Sequence, residues 1–211
     1  MSPVYSKESY FSVSLKSHIE SFFKEDDLDR NIFYNQEIPD ELVECSLKFK
    51  TNNTLISGLP FFMESFIFLG AEKSCFEDLG PYEGRRAKFE EGEDAYTLKF
   101  VLPFSMALSG ERIALNLLQR SSNIATYTSK FVTLAEAKGI SILDTRKTMP
   151  GLRFLDKYSV RVGGGKNHRF GQTDVWMIKD NHKSYFGGLQ EAISFFKKMG
   201  SFYNPLVVEV H

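Results

Sequence analysis

The sequence predicts a mixed α/β and α+β fold, an N-terminal α/β sandwich followed by an incomplete α/β barrel of the TIM-like kind. Two observations set this division. Up to Leu108 the strand-like runs alternate apolar and polar residues, as at Val43, Cys45, Leu47 and Phe49, the pattern of a half-buried strand. Beyond Gly139 the strand runs are continuously apolar and separated by helical stretches, which implies parallel strands covered on both faces. A third observation places the chemistry. Each of those later runs ends in polar or charged residues, and α/β barrels build their sites at the C-terminal ends of strands. The division gives residues 1–117 as the sandwich with a linking helix, and 118–211 as the first part of the barrel.

Residues 1–12 read as a loose leader. Leu15, Ile19, Phe22 and Phe23 give helical spacing over Ser14–Lys24, and the acidic turn Asp26-Asp27-Leu28-Asp29 follows. Asn52-Asn53 signals a turn. Thr54–Phe68 is apolar but broken by Gly58-Leu59-Pro60, so it reads as a strand, a turn, then a helix or second strand. Ala87–Glu93 and Ala95–Val101 are expected to pair around Glu91-Gly92-Glu93. Two successive helices are expected next, separated near Ser121-Ser122-Asn123 and ending at Lys138-Gly139. The remainder reads as strand Ile140–Leu143, helix Leu152–Tyr158, strand Val175–Ile178, helix Leu189–Met199 and strand Leu206–Val210. Three strands are too few to close a barrel of about eight, so the sequence is expected to belong to a longer protein.

With 42% hydrophobic residues, the 211-residue chain can bury a sizeable core. A net charge of -1 and a pI near 6.4 exclude a general nucleic-acid binder, which needs a basic footprint. Cys45 and Cys75 are too few for a disulfide framework. The longest apolar run, Leu55–Leu69, is interrupted by Gly58, Pro60 and Glu64, so no membrane span is expected. No secretory leader is read at the start, and a reduced cytoplasmic enzyme is the expectation.

Against that neutral background the cations cluster. Arg146 and Lys147 follow the first barrel strand, His168 and Arg169 follow Gly163-Gly164-Gly165, and Lys179 follows the second strand. Alone, Arg146 and Lys147 would read as solvated loop charges. Together with Arg169 and Lys179 they read as the pocket of a small polyanion, since guanidinium forks match carboxylates and phosphates. The three glycines suggest a backbone that approaches the anion closely. Glu209 on an apolar strand is costly to bury unless paired or solvated in a pocket. There it could bind sugar hydroxyls, bind a metal or stabilise a developing cation.

These segments also resemble a known family. Gly110–Gln119, Ile124–Thr128, Ile142–Arg153 (with Asp144-Thr145-Arg146-Lys147-Thr148), Val160–Gly171 (with Gly163-Gly164-Gly165-Lys166-Asn167-His168-Arg169) and Ile178–His182 are similar to quinolinate phosphoribosyltransferase, the decarboxylating enzyme of NAD biosynthesis. The resemblance covers roughly residues 109–182 and extends weakly to Phe22–Asp27 and Val207–Val210. It implies a sandwich followed by a seven-stranded incomplete barrel, a homodimer or hexamer, and quinolinate plus phosphoribosyl pyrophosphate as substrates, with magnesium. It implies quinolinate contacts at Arg112, Arg146, His168 and Arg169. Lys147 and Lys179 would lie near the reacting groups and phosphates, with Glu209 facing the ribose. Lys147, Lys179 and Glu209 are thus the expected catalytic residues, and Glu209 is a possible, indirect metal contact.

A related family associated with molybdenum transport shares the Thr145–Thr148 pattern and the Gly163–Arg169 pattern. The segment Lys179-Asp180-Asn181-His182 favours the quinolinate enzyme over it. A non-catalytic anion-binding fragment is the alternative from another class.

Overall fold

The computed structural model describes residues 10–30, 36–200 and 205–210. The expected leader therefore lies mostly outside the described residues, and Tyr10 already opens helix α1 (Tyr10–Glu25). Leu15, Ile19 and Phe23 of α1 are buried, the four-residue spacing of one helical face.

Strand β1 (Leu42–Phe49) pairs antiparallel with β4 (Tyr96–Pro103), with Leu42 opposite Pro103 and Phe49 opposite Tyr96. The short strands β2 (Thr54–Leu55) and β3 (Arg86–Ala87) pair with each other. The hairpin expected around Glu91-Gly92-Glu93 is therefore not formed. The β4–β1 pairing buries Leu98 and Leu102 with Leu47 and Phe49 on one face. The segment after Ala87, with Lys88, Glu90, Glu91 and Glu93, has no comparable apolar face to offer.

Helix α2 (Leu59–Phe68) resolves the second half of the Thr54–Phe68 run as a helix. Gly58 enters it at φ 102, a conformation that suits glycine. The Glu83 carboxylate accepts from the Gly58 and Leu59 amides at 2.9 and 2.8 Å. A carboxylate from a distant turn thus satisfies donors at the positive end of the helix.

The two helices expected on either side of Ser121 are one helix, α3 (Phe104–Glu136), 33 residues long. The serines that suggested a break are buried contact residues. Ser122 Oγ accepts from the Ser57 amide at 3.1 Å and donates to the Ser57 carbonyl at 3.0 Å. Ser121 Oγ lies 2.8 Å from Ser57 Oγ and 2.7 Å from Ser159 Oγ. Position 117 thus falls inside α3. Ala114 and Leu118 pack into the sandwich core, while Leu117 joins a second core with Ile19, Phe61 and Leu155.

Beyond α3 come α4 (Arg153–Val162), β5 (Trp176–Ile178), α5 (Asp180–Phe186), α6 (Leu189–Met199) and β6 (Leu206–Val208). β5 and β6 are parallel, with Trp176 beside Leu206 and Ile178 beside Val208. The expected strand Ile140–Leu143 is reduced to one parallel bridge from Leu143 to Lys166. Ile140 and Leu143 are more than half exposed, so no packing extends it. Among the described residues the strands form three two-stranded sheets and no closed barrel. No helix among them is long and apolar enough to cross a membrane.

Candidate functional site

The loop from Asp144 to Gly151 leaves the end of the Leu143 bridge and is tied down by its first residue. The Asp144 carboxylate accepts from Lys157 Nζ of α4 at 2.5 Å and from the His168 amide at 2.8 Å. Asn167 Nδ2 donates to its other oxygen at 2.5 Å. Asp144 therefore joins the segment carrying Arg146 and Lys147 to the one carrying His168 and Arg169. His168 Nδ1 accepts from the Arg169 amide at 2.7 Å, so a neutral ring carries its proton on Nε2. Arg169 Nη1 donates to the Val175 carbonyl at 2.7 Å, which connects this pair to the start of β5.

At the far end of β5, Lys179 precedes α5, and its amide donates to His182 Nδ1 at 2.9 Å. Its ammonium is 3.1 Å from Glu209 Oε1. The Glu209 amide donates to the Ile178 carbonyl at 2.9 Å, placing Glu209 immediately past the β5–β6 ladder. Glu209 thus lies just after the strand rather than within it, which leaves its carboxylate partly exposed and paired. Lys183 Nζ adds a bond to the Glu209 carbonyl at 3.2 Å.

Arg146 stands out energetically. Its Nε is buried and has no hydrogen-bond partner among the described residues. An unmet charged donor is costly, and an arriving anion would relieve that cost. Lys147 is exposed, and among the described residues only its amide is engaged, by Thr145 Oγ1 at 3.0 Å. Arg112 is exposed on the first half of α3, against the sandwich, and no described contact links it to Arg146 or Lys179.

The three glycines pack against protein instead of lining an open cradle. A Cβ on Gly163 would lie 2.7 Å from the Ala125 carbonyl and from Thr128 Cβ, and one on Gly165 2.7 Å from Val160 Cγ1. They let the end of α4 approach α3. The residues that sequence reasoning passed over are the buried pair Asp156 and Lys157 on α4, and Arg120 on α3, which grips Asp156 through bonds of 2.7 and 2.8 Å. Their signal was an Asp-Lys dipeptide flanked by Phe154, Leu155 and Tyr158 in a short helix.

Among the described residues no three of His, Cys, Asp or Glu are placed to hold a metal ion. The Glu209 carboxylate is engaged by Lys179, and that of Asp180 by Lys183 at 2.6 Å.

Residues 124–211 match the family model described as quinolinate phosphoribosyl transferase, C-terminal domain. A probable nicotinate-nucleotide pyrophosphorylase (carboxylating) of Bacillus subtilis is 57% identical over 90 residues, 43% of this chain and 31% of that one. A protein of Synechocystis with the same description is 44% identical over 103 residues, 49% of this chain and 34% of that one. The chain spans about a third or less of the length of the curated relatives it matches. A solved NadC deletion mutant superposes with TM-score 0.79 at 30% identity, covering 98% of this chain and 70% of that one. NadC from Streptococcus pyogenes does so with TM-score 0.77 at 29% identity, over 98% and 70% of the two chains.

Proposed function

The chain belongs to the quinolinate phosphoribosyltransferase family, and from that premise we propose that it transfers phosphoribosyl from phosphoribosyl pyrophosphate to quinolinate. The products are nicotinate mononucleotide, pyrophosphate and carbon dioxide, and the reaction is a step of NAD biosynthesis. The observation that carries this reading is the buried Nε of Arg146, unpartnered among the described residues, in a loop tied through Asp144 to His168 and Arg169. Two guanidinium groups suit the two carboxylates of quinolinate.

In this reading the pyridine nitrogen bonds to the anomeric carbon as the bond to the pyrophosphate oxygen breaks. Cationic character develops on the ribose, and Glu209, beside the β5–β6 ladder, stabilises it. Lys147 and Lys179 offset charge on the departing pyrophosphate. Lys179 also holds Glu209 in place until substrate arrives. The ring carboxylate next to the nitrogen then leaves as carbon dioxide. Its bonding pair remains on the ring carbon beside the cationic nitrogen, and a proton from solvent completes the product. Magnesium, in this reading, enters with the diphosphate of the sugar substrate, since magnesium commonly uses substrate phosphates.

The same reading takes the parallel strands after α3 as part of an incomplete barrel, and the working unit as a cytoplasmic homodimer or higher oligomer. Exposed Arg112, without a described link to the other cations, is assigned to a neighbouring subunit's pocket. The deciding experiment is release of labelled carbon dioxide from carboxyl-labelled quinolinate, dependent on phosphoribosyl pyrophosphate. Turnover of nicotinate but not quinolinate would overturn the assignment.

A further inference from the structure

The loop that carries Arg146 and Lys147 is held at both ends, and the two holding groups are consecutive residues of α4. At the start, Asp144 is paired with Lys157, and both side chains are only 5% exposed. Near the far end, the Met149 amide donates to Asp156 Oδ2 at 3.2 Å. Arg120 fixes that carboxylate from α3 through its two parallel bonds. Lys157 Nζ also donates to the His168 carbonyl at 3.2 Å, so the second cationic segment hangs from the same ammonium. An ion pair this deeply buried gives little or no stability over well-packed apolar residues of the same volume. What it does give is a fixed direction for the groups attached to it.

We propose that Asp156 and Lys157 are positioning residues, a clamp that sets the spacing of Arg146–Lys147 against His168–Arg169 for a rigid dicarboxylate. This inference rests on the function proposed above. Neither residue touches the reacting atoms. Lys157 acts through Asp144 and His168, and Asp156 through Met149.

The test is steady-state kinetics of the full-length protein with the double variant Asp144→Asn/Lys157→Met. It removes both buried charges at once, so neither is left unpaired, and the introduced carboxamide oxygen can still accept from the His168 amide. The expected result is a thermal midpoint close to the parent's, with the KM for quinolinate raised about tenfold through misplaced cations. The KM for phosphoribosyl pyrophosphate rises less, because Lys147 alone of the clamped cations is assigned to the pyrophosphate. Asp156→Asn keeps the side-chain volume but loses the charged fork to Arg120. It should show the same selective rise in milder form, and it decides the matter if the double variant does not fold. An unchanged KM for quinolinate in a folded variant overturns the clamp, as does an equal rise for both substrates. Absence of quinolinate turnover in the parent overturns the underlying reading, and the clamp with it.

Discussion

The Lys179 ammonium lies 3.1 Å from the Glu209 carboxylate, bridging the chain segments that follow β5 and β6. The side chains are 44% and 38% exposed, so the pair contributes at most about 1 kcal/mol to stability. Its placement beyond two parallel strands matters more than its strength. Glu209→Gln and Lys179→Ala should each leave the thermal midpoint nearly unmoved while lowering turnover about a hundredfold or more. Calorimetry alongside carbon dioxide release checks both halves. A large loss of stability with retained turnover would assign the pair a purely structural role.

Arg146 should separate function from stability further still. Its unpartnered Nε carries a burial penalty of roughly 1–3 kcal/mol without ligand. Arg146→Met should therefore match or exceed the parent in ligand-free stability. Quinolinate binding should weaken by roughly 1.5–3 kcal/mol, and Arg169→Ala should weaken it similarly. Lysine at either position should not fully restore affinity, because the bidentate geometry is lost. Titration calorimetry giving parent-like affinity in both variants would remove these residues from the site.

Glu83 makes stability depend on pH. Burial raises its pKa above the ordinary carboxyl value, while hydrogen bonds from the Gly58 and Leu59 amides and the Tyr158 hydroxyl oppose the rise. A raised pKa means the folded chain binds the proton more tightly than the unfolded chain does. That contribution is full below the ordinary value of 4.5 and is lost as pH climbs through the folded value. The thermal midpoint of the parent relative to Glu83→Gln should therefore fall as pH rises from about 4.5. A parent that gains on Glu83→Gln as pH rises would mean that the hydrogen bonds outweigh burial.

Gly163→Ala tests the close approach of α4 to α3. Its φ of -70 suits alanine, so only packing is probed. The added Cβ would stand 2.7 Å from a backbone carbonyl that cannot swing away. The expected cost is roughly 1–3 kcal/mol in denaturant unfolding. Gly171→Ala, with nothing within 4 Å, is the matched control and should lie near the parent.

Arg112 should act across a two-fold interface. In a mixed dimer of Arg112→Ala and Lys179→Ala chains, one pocket keeps its own Lys179 and borrows an intact Arg112, while the other carries both defects. Random re-association of equal amounts should restore about a quarter of wild-type sites, the statistical expectation for a symmetric dimer. Heterodimers no more active than either parent variant would place Arg112 outside the partner's pocket.

The sequence by itself determined the strand and helix types of most segments, the cation-rich loops and the family. These features depend on local periodicity and on residue types that stay recognisable in one dimension. Val43, Cys45, Leu47 and Phe49 alternate because one face of β1 is covered, and Leu189–Met199 was legible to its ends. Tertiary structure decided what depended on distant partners. Ser121 and Ser122 resemble a helix break until Ser57 and Ser159 engage their hydroxyls. Ala95–Val101 resembles half of a hairpin until β1 provides the better apolar partner. Gly163-Gly164-Gly165 resembles an anion loop until α3 occupies the space beside it. Asp156 and Lys157 gained their meaning only when folding brought them to Met149 and Asp144, because the energy of a buried charge is set by its partners in space.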